Sequence, residues 1–285
     1  PPPRPPPDAS PMSDSHLSAA RRGTGAIVFR TLFIALSAVS WSVLWWWSAS
    51  PYARYVDHGG WTDGSFLAAC RALPAGELWI PGLLYALDWL LMIAAMMLPT
   101  ALPVADTVRR MTAGQPHAMR ILSALVAGYA AAWLAFGIAA HVGDAVLRAM
   151  AGRSPWLALN GWALGAAVLA VAGLFQFSAL KYRCLEECHA PMAFVLTRWN
   201  GRSRTRDAWT IGWDHGVFCI GCCWALMVIM FMVGTANVGW MMLLAAVMAA
   251  EKNSPGGRRL RTPIGIVLLA SAAALVLLNV RVLPG

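Results

Sequence analysis

Long apolar stretches constrain this chain more than any other sequence feature. A helix that crosses a bilayer needs about 20 consecutive, mostly apolar residues. The chain has 59% hydrophobic and only 12% charged residues, a balance that a soluble protein does not show. We therefore predict an all-α fold, a polytopic transmembrane helical bundle with about seven spans. The expected spans lie roughly at residues 25–47, 82–101, 121–141, 157–180, 216–236, 238–250 and 263–282.

The basic residues are distributed unequally between the two ends of these spans. An N-terminus in the cytoplasm places most Lys and Arg on the cytoplasmic side, where short loops retain positive charge. The net charge of +9 is then a topological signal that also favours contact with anionic lipids of the bilayer. The basic residues lie at membrane edges and are not interleaved with aromatic residues, so we expect no nucleic-acid partner.

The N-terminal residues differ in composition from the rest of the chain. Residues 1–11 are dominated by proline and have no periodicity, which is typical of an extended, flexible segment. Met12 begins a run similar to an ordinary translation start, so we expect residues 1–11 to be an upstream extension or the result of a misassigned start site. No cleavable signal peptide is recognisable. The predicted organisation is a disordered, Pro-rich cytoplasmic tail over residues 1–24 and a single transmembrane helical domain over 25–285.

Three cysteines lie within one apolar helix, in the run from Gly216 to Trp224. On a helix, residues four apart share a face. Four donors follow this spacing: His215, Cys219, Cys223 and Met227. Cys222 lies beside them. Nitrogen, thiolate and thioether donors together favour Cu(I) or Zn(II) over Mg²⁺ or Ca²⁺. The run therefore predicts a site for copper, with zinc as the alternative.

Further donors are expected at the same depth near the cytoplasmic leaflet. An ionisable residue inside a span needs a partner or a water-filled cavity, which singles out Asp88. Glu251 either forms an interfacial pair with Lys252 or orients a ligand. The isolated Cys70 is interpreted as packing. The predicted metal ligands are Cys184, Cys188, Cys219, Cys222, Cys223, His215, Met96, Met97 and Met227, supported by Asp88 and Glu251.

Four stretches between about residues 85 and 255 carry a family resemblance. They run from Met92 to Pro99, from Lys181 to Pro191, from Gly216 to Met227, and over Glu251-Lys252. Together they resemble the motifs of a bacterial family of predicted metal-binding integral membrane proteins, domain of unknown function 2182. The resemblance implies a helical membrane fold and a metal site, without an established reaction. It also implies a multi-pass protein of the bacterial inner membrane.

Three functions are compatible with these residues. The first is a metal-binding membrane protein that transports copper, hands it on or matures a metalloenzyme. No Gly-rich nucleotide-binding loop accompanies it, so pumping by this chain alone is disfavoured, and a non-enzymatic role is favoured. Partners would be other membrane-protein subunits or a metallochaperone. The second function is a thiol oxidoreductase, which the reducing cytoplasm disfavours. The third is a non-catalytic subunit of a membrane complex, with a structural zinc or copper ion.

Two further interpretations concern the cysteines themselves. Attachment of c-type haem at Cys184, Cys188 and His189 is disfavoured because three residues separate these cysteines, whereas that motif has two. Free cysteines also pack as small buried hydrophobic residues, which is the simplest alternative for the whole set.

The charge distribution makes a direct prediction about topology. The segment from Cys184 to Arg206 should be cytoplasmic and the segment from Tyr52 to Trp79 external. Reporter fusions at both segments measure this. A periplasm-active reporter that works near Ser203 would contradict the orientation.

Overall fold

The computed structural model describes residues 12–49, 79–154, 156–157, 160–233, 237–254 and 256–280. Within these ranges all regular structure is helical, which confirms the all-α prediction for this part of the chain. The longer helices are α1 (Met12–Ser48), α2 (Trp79–Met96), α3 (Leu98–Met111), α4 (Ala118–Arg153), α5 (Gly161–Phe175), α6 (Ala179–His189), α7 (Pro191–Arg198), α8 (Arg204–Val233), α9 (Val238–Asn253) and α10 (Gly257–Val280).

Four of these helices contain a segment long and apolar enough to cross a membrane: Gly25–Ser48, Ala118–Leu147, Arg204–Met230 and Gly257–Val280. The number rises to six if the bent pairs α2–α3 and α5–α6 each count as one span. A helical membrane bundle is thus plausible, whereas seven spans are not confirmed. Among the described residues, α9 matches the expected sixth span but has only 16 residues.

The second expected span is not straight, because it breaks at Met97 with a bend of 71°. Pro99 lies in the first turn of α3 and has no N–H to donate to the carbonyl of Ala95, four residues earlier. The Ser37 hydroxyl of α1 donates to that carbonyl instead, at 2.7 Å. The Ala95 carbonyl, which the helix leaves without a donor, is thus satisfied by Ser37. The bend also turns Met97 towards the centre of the bundle, where its side chain is fully buried.

The fourth expected span also bends, by 60°, between α5 and α6. Ser178 begins the new helix by accepting a hydrogen bond from the Lys181 backbone N–H at 3.1 Å. Cys184 and Cys188 therefore lie on a helix that turns away from the preceding one.

Helix α1 begins at Met12, within the segment expected as a tail over residues 1–24. The division into a tail and a single transmembrane domain stays a prediction. Residues 1–11, and Cys70 in the segment between α1 and α2, lie outside the described residues.

The closest helix packing joins α4 and α8. A Cβ added to Gly212 would overlap the Leu125 carbonyl oxygen, and one added to Gly128 would overlap the Trp209 carbonyl oxygen. At Gly216 it would lie 2.6 Å from the Ala132 Cβ. Small residues at such contacts let helix backbones approach closely, as in membrane helix pairs. This contact brings α4 directly against the helix that carries three cysteines.

We predict that Gly212→Ala destabilises the protein by about 1–3 kcal/mol, because the methyl group has no space against the α4 backbone. The matched control is Gly143→Ala, since a Cβ there meets no atom within 4 Å. It should be neutral or stabilising, by up to about 1 kcal/mol. Thermal unfolding in detergent measures both variants. Equal effects would contradict the packing argument.

Candidate metal centre

Helix α8 supplies three buried cysteines to one side of its axis. The Sγ atoms of Cys222 and Cys223 both donate to the Cys219 carbonyl oxygen, at 3.0 and 2.9 Å. Each of the three side chains is 1% exposed. The spacing within the helix therefore groups these thiols, as the sequence predicts.

Helix α6 adds two more cysteines. The Cys188 thiol lies close enough to the Cys222 thiol for the two sulfur atoms to interact. Cys184 lies against the backbone of α8 where Gly221 has no side chain, and a Cβ there would be 2.5 Å from the Cys184 Sγ. The five described cysteines are all free. The bend before α6 thus lets thiols from two helices meet.

Met97 and Tyr129 approach the same point from the other side. The Tyr129 hydroxyl of α4 lies 3.2 Å from the Cys219 Sγ and donates to the Met97 carbonyl at 3.3 Å. Both side chains are buried. We call Met97, Cys188, Cys219, Cys222 and Cys223 the sulfur cluster.

The ammonium group of Lys252 points into the sulfur cluster from the end of α9. Its Nζ lies 2.9 Å from the Cys219 Sγ, 3.6 Å from the Met97 Sδ and 3.7 Å from the Cys223 Sγ. Lys252 is only 5% exposed. Three sulfur atoms, two from α8 and one from the helix break at Met97, therefore surround one buried cation.

The neighbouring residue Glu251 faces a different partner. Its Oε2 accepts a hydrogen bond from the Lys181 Nζ at 2.7 Å, and both side chains are almost fully buried. The expectation of a pair between Glu251 and Lys252 at the interface is therefore wrong. The observed ion pair joins α9 to α6. Lys252 contacts the sulfur atoms instead of Glu251.

His215 lies one turn before Cys219 but among rings. It stacks on Tyr129 with centroids 5.6 Å apart and meets Phe194 edge-on at 5.5 Å. Neither ring nitrogen has a hydrogen-bond partner among the described residues. A small cavity of about 20 Å³ lies beside it. The Tyr129 ring therefore contacts His215, while its hydroxyl contacts the sulfur cluster.

The other predicted residues fall around this centre. Met96 lines an apolar groove of about 660 Å³ between α1, the α2–α3 break and α9, whereas its neighbour Met97 faces the sulfur cluster. Met227 is buried in the core one turn beyond Cys223. Asp88 is half-buried and precedes Met96 by eight residues, so it lies about 12 Å away along the helix axis.

Within the described part of the chain, no three or more His, Cys, Asp or Glu side chains are placed to hold a metal ion. The sulfur cluster is therefore not a ready-made site of those four residue types. Its chemistry is that of soft donors, thiols and a thioether, gathered in a buried apolar setting. Such donors suit Cu(I) and Zn(II).

Sequence reasoning did not assign three residues that the structure places at this centre: Tyr129, Lys181 and Lys252. A compositional signal was available for the lysines. Among 22 Lys and Arg residues, only these two are Lys, and both occur in the motif-bearing stretches. All the other basic residues are arginines, so the choice of lysine at positions 181 and 252 indicates a specific role for these two side chains.

The described residues thus form an apolar helical bundle with buried soft donors at its centre. A family model described as "PpoB2: Copper chaperone" matches residues 86–275. The chain belongs to this family. The match supports a copper-related function, though it does not carry the name of domain of unknown function 2182. No curated protein and no solved structure gives a significant match to the chain.

The buried ion pair generates a stability prediction. Lys181→Met leaves the Glu251 carboxylate buried without its cation, which should cost about 3–5 kcal/mol. The double variant Lys181→Met with Glu251→Leu removes both charges and should recover most of that loss. Thermal unfolding in detergent measures both. As a control, Glu186→Gln breaks the exposed pair with Arg258, at 3.4 Å, and should cost under about 1 kcal/mol. A double variant as unstable as the single would contradict the prediction.

Proposed function

We propose that this chain is a membrane-embedded Cu(I) chaperone that holds copper in the sulfur cluster and passes it to a partner protein. Copper is its cargo, not a resident cofactor. The family supports a copper-related role. The position of the ligands near the cytoplasmic leaflet of a bacterial inner membrane, with the N-terminus in the cytoplasm, belongs to the same proposal.

One observation carries the proposal. The sulfur atoms of Cys219, Cys223 and Met97 converge on a single point occupied by the Lys252 Nζ, within 2.9–3.7 Å. Two thiolates and a thioether are donors that favour Cu(I). Cys222 and Cys188 lie next to this point and supply further thiols for exchange.

Burial makes these sulfur atoms suitable for holding copper without losing it to solvent. All three side chains are at most 1% exposed. Transfer to a partner then proceeds by ligand exchange, in which an incoming thiolate or thioether replaces one of the sulfur atoms. Such a step needs no nucleotide, in keeping with the lack of a recognisable nucleotide-binding loop in the sequence. The partner is a metallochaperone, another membrane subunit or an enzyme that receives copper.

The position of the two adjacent methionines favours unequal roles for them. Met97 contacts the cation position in the sulfur cluster, whereas Met96 lines the groove together with Met242. We assign Met97 to the copper site and Met96 to the route that leads towards it. We leave His215 outside the copper site because it stacks on the Tyr129 ring, with the ring centroids 5.6 Å apart.

The test is Cu(I) binding by the full chain in detergent under anaerobic conditions, in competition with a chromophoric chelator. We expect about one Cu(I) per chain. Cys219→Ser and Cys223→Ser should each weaken binding by about 10- to 100-fold or more, because the ion loses a primary donor. Cys70→Ser is the control and should leave the affinity unchanged. Equal, small effects at all three positions would show that the cysteines only pack.

The same titration distinguishes copper from zinc. Met97→Leu nearly conserves volume and should cost under about 1.5 kcal/mol in stability. It should weaken Cu(I) binding and leave zinc retention unchanged, because the thioether is a soft donor. Met96→Leu is the matched control. Tight zinc with no preference for Cu(I) would point to a structural zinc site. A metal-free protein with a cysteine crosslink would point to a thiol oxidoreductase.

A further inference from the structure

The two lysines of this chain are both buried, and they differ in the charge that faces them. Lys181 is paired with the Glu251 carboxylate at 2.7 Å. The contacts of the Lys252 Nζ in the described structure are three sulfur atoms. A buried ammonium without a compensating group is costly, so the Cys219 sulfur at 2.9 Å acts as its counter-charge.

We propose that Lys252 is a tethered substitute cation: its ammonium occupies the copper position when the chain carries no copper, and it withdraws when Cu(I) binds. This inference rests on the proposed function. Cu(I) and the Lys252 ammonium would need the same space. Metal–thiolate bonds are about 2.3 Å long, as for zinc. An ion bound at that distance to Cys219, Cys223 and Met97 lies within the space that the Lys252 Nζ fills.

Charge explains why such a substitute is useful. Cu(I) enters with one positive charge and the Cys223 thiol loses one proton when it becomes a ligand, so the net charge of the buried region, with the displaced ammonium still in it, is unchanged. Removing copper from buried thiolates without a replacement would leave them unpaired, at a cost of several kcal/mol. A lysine that returns as copper departs avoids that state. Lys252 thus limits how tightly copper is held and assists its release to a partner.

The exchange is a ligand substitution. Copper stays as Cu(I), no electron is transferred, and the ammonium keeps its protons. The Cys223 thiol, which donates to the Cys219 carbonyl at 2.9 Å, releases its proton to water when it becomes a thiolate ligand.

The position of Lys252 permits the required movement. It is the penultimate residue of α9, which ends at Asn253. Its side chain is a flexible four-carbon stem with a compact charge. The Oε1 atom of the adjacent Glu251 has no hydrogen-bond partner among the described residues and offers an acceptor. The displaced ammonium therefore needs no rearrangement of the helices.

The first test uses Lys252→Leu, which keeps an apolar side chain and removes the charge. Loss of a competing charged hydrogen bond should tighten Cu(I) binding by about tenfold to hundredfold in the chelator competition. Release of copper to the chelator should slow in proportion. Lys252→Arg keeps the charge and is the matched control, which should show no gain. Equal or weaker binding by Lys252→Leu would overturn the proposal, because the ammonium would then assist binding rather than compete with it.

The second test needs no substitution, so it holds even if Lys252→Leu does not fold. In the full chain labelled with ¹⁵N at the lysine side chains, only two ammonium signals arise, since the chain has two lysines. Titration with Cu(I) should shift the Lys252 signal and leave the Lys181 signal in place. Glu251→Gln alters the Lys181 pair and assigns its signal. A Lys252 signal that does not respond to bound Cu(I) would overturn the proposal.

These outcomes separate the two proposals. If the chain does not bind Cu(I), or binds it equally well as Cys219→Ser, the chaperone proposal fails and the substitute cation fails with it. If Cu(I) binds and depends on Cys219 but either lysine measurement gives the contrary result, only the role of Lys252 is overturned.

Discussion

The requirement that a buried charge has a partner governs the centre of this protein. Two ammonium groups lie inside an apolar bundle, and the end of α9 is involved in the contacts of both. Glu251 pairs with Lys181 of α6, and the next residue, Lys252, reaches the sulfur cluster. Because adjacent residues on a helix point in different directions, one turn of α9 contacts two separate parts of the bundle. The position of that turn is therefore set from two sides.

Close packing between α4 and α8 provides the other half of the arrangement. The two backbones meet at glycines, which have no side chain: Gly128 on α4 and Gly212 and Gly216 on α8. Tyr129, next to Gly128, therefore packs against α8. The Tyr129 hydroxyl then contacts both the Cys219 sulfur and the Met97 carbonyl. A polar group in this position links the helix break at Met97 to the cysteine-bearing helix. Larger residues at the glycines would separate these contacts.

The two helix breaks have a common effect. A straight α2 would direct Met97 along the helix surface, and a straight α5 would carry Cys184 and Cys188 away from α8. The bends of 71° and 60° accompany the approach of donors from distant parts of the sequence to one part of the bundle. Their causes are local: a proline without an N–H in the first break and a serine cap in the second. The groove lined by Met96 and Met242 lies beside the first break.

The helical class and the grouping of Cys219, Cys222 and Cys223 could be predicted from the sequence, because they follow from apolar length and from a spacing that is local to one helix. The sequence also singled out Met97, Cys184 and Cys188 as neighbours of that group, through depth in a membrane. Three placements became known only from the folded structure. Met96 faces a groove and His215 packs among aromatic rings. Lys252, rather than Glu251, approaches the sulfur atoms. The physical reason is that these roles depend on how helices bend and rotate against one another, and on which buried charges face each other, neither of which is encoded in the spacing of a single helix.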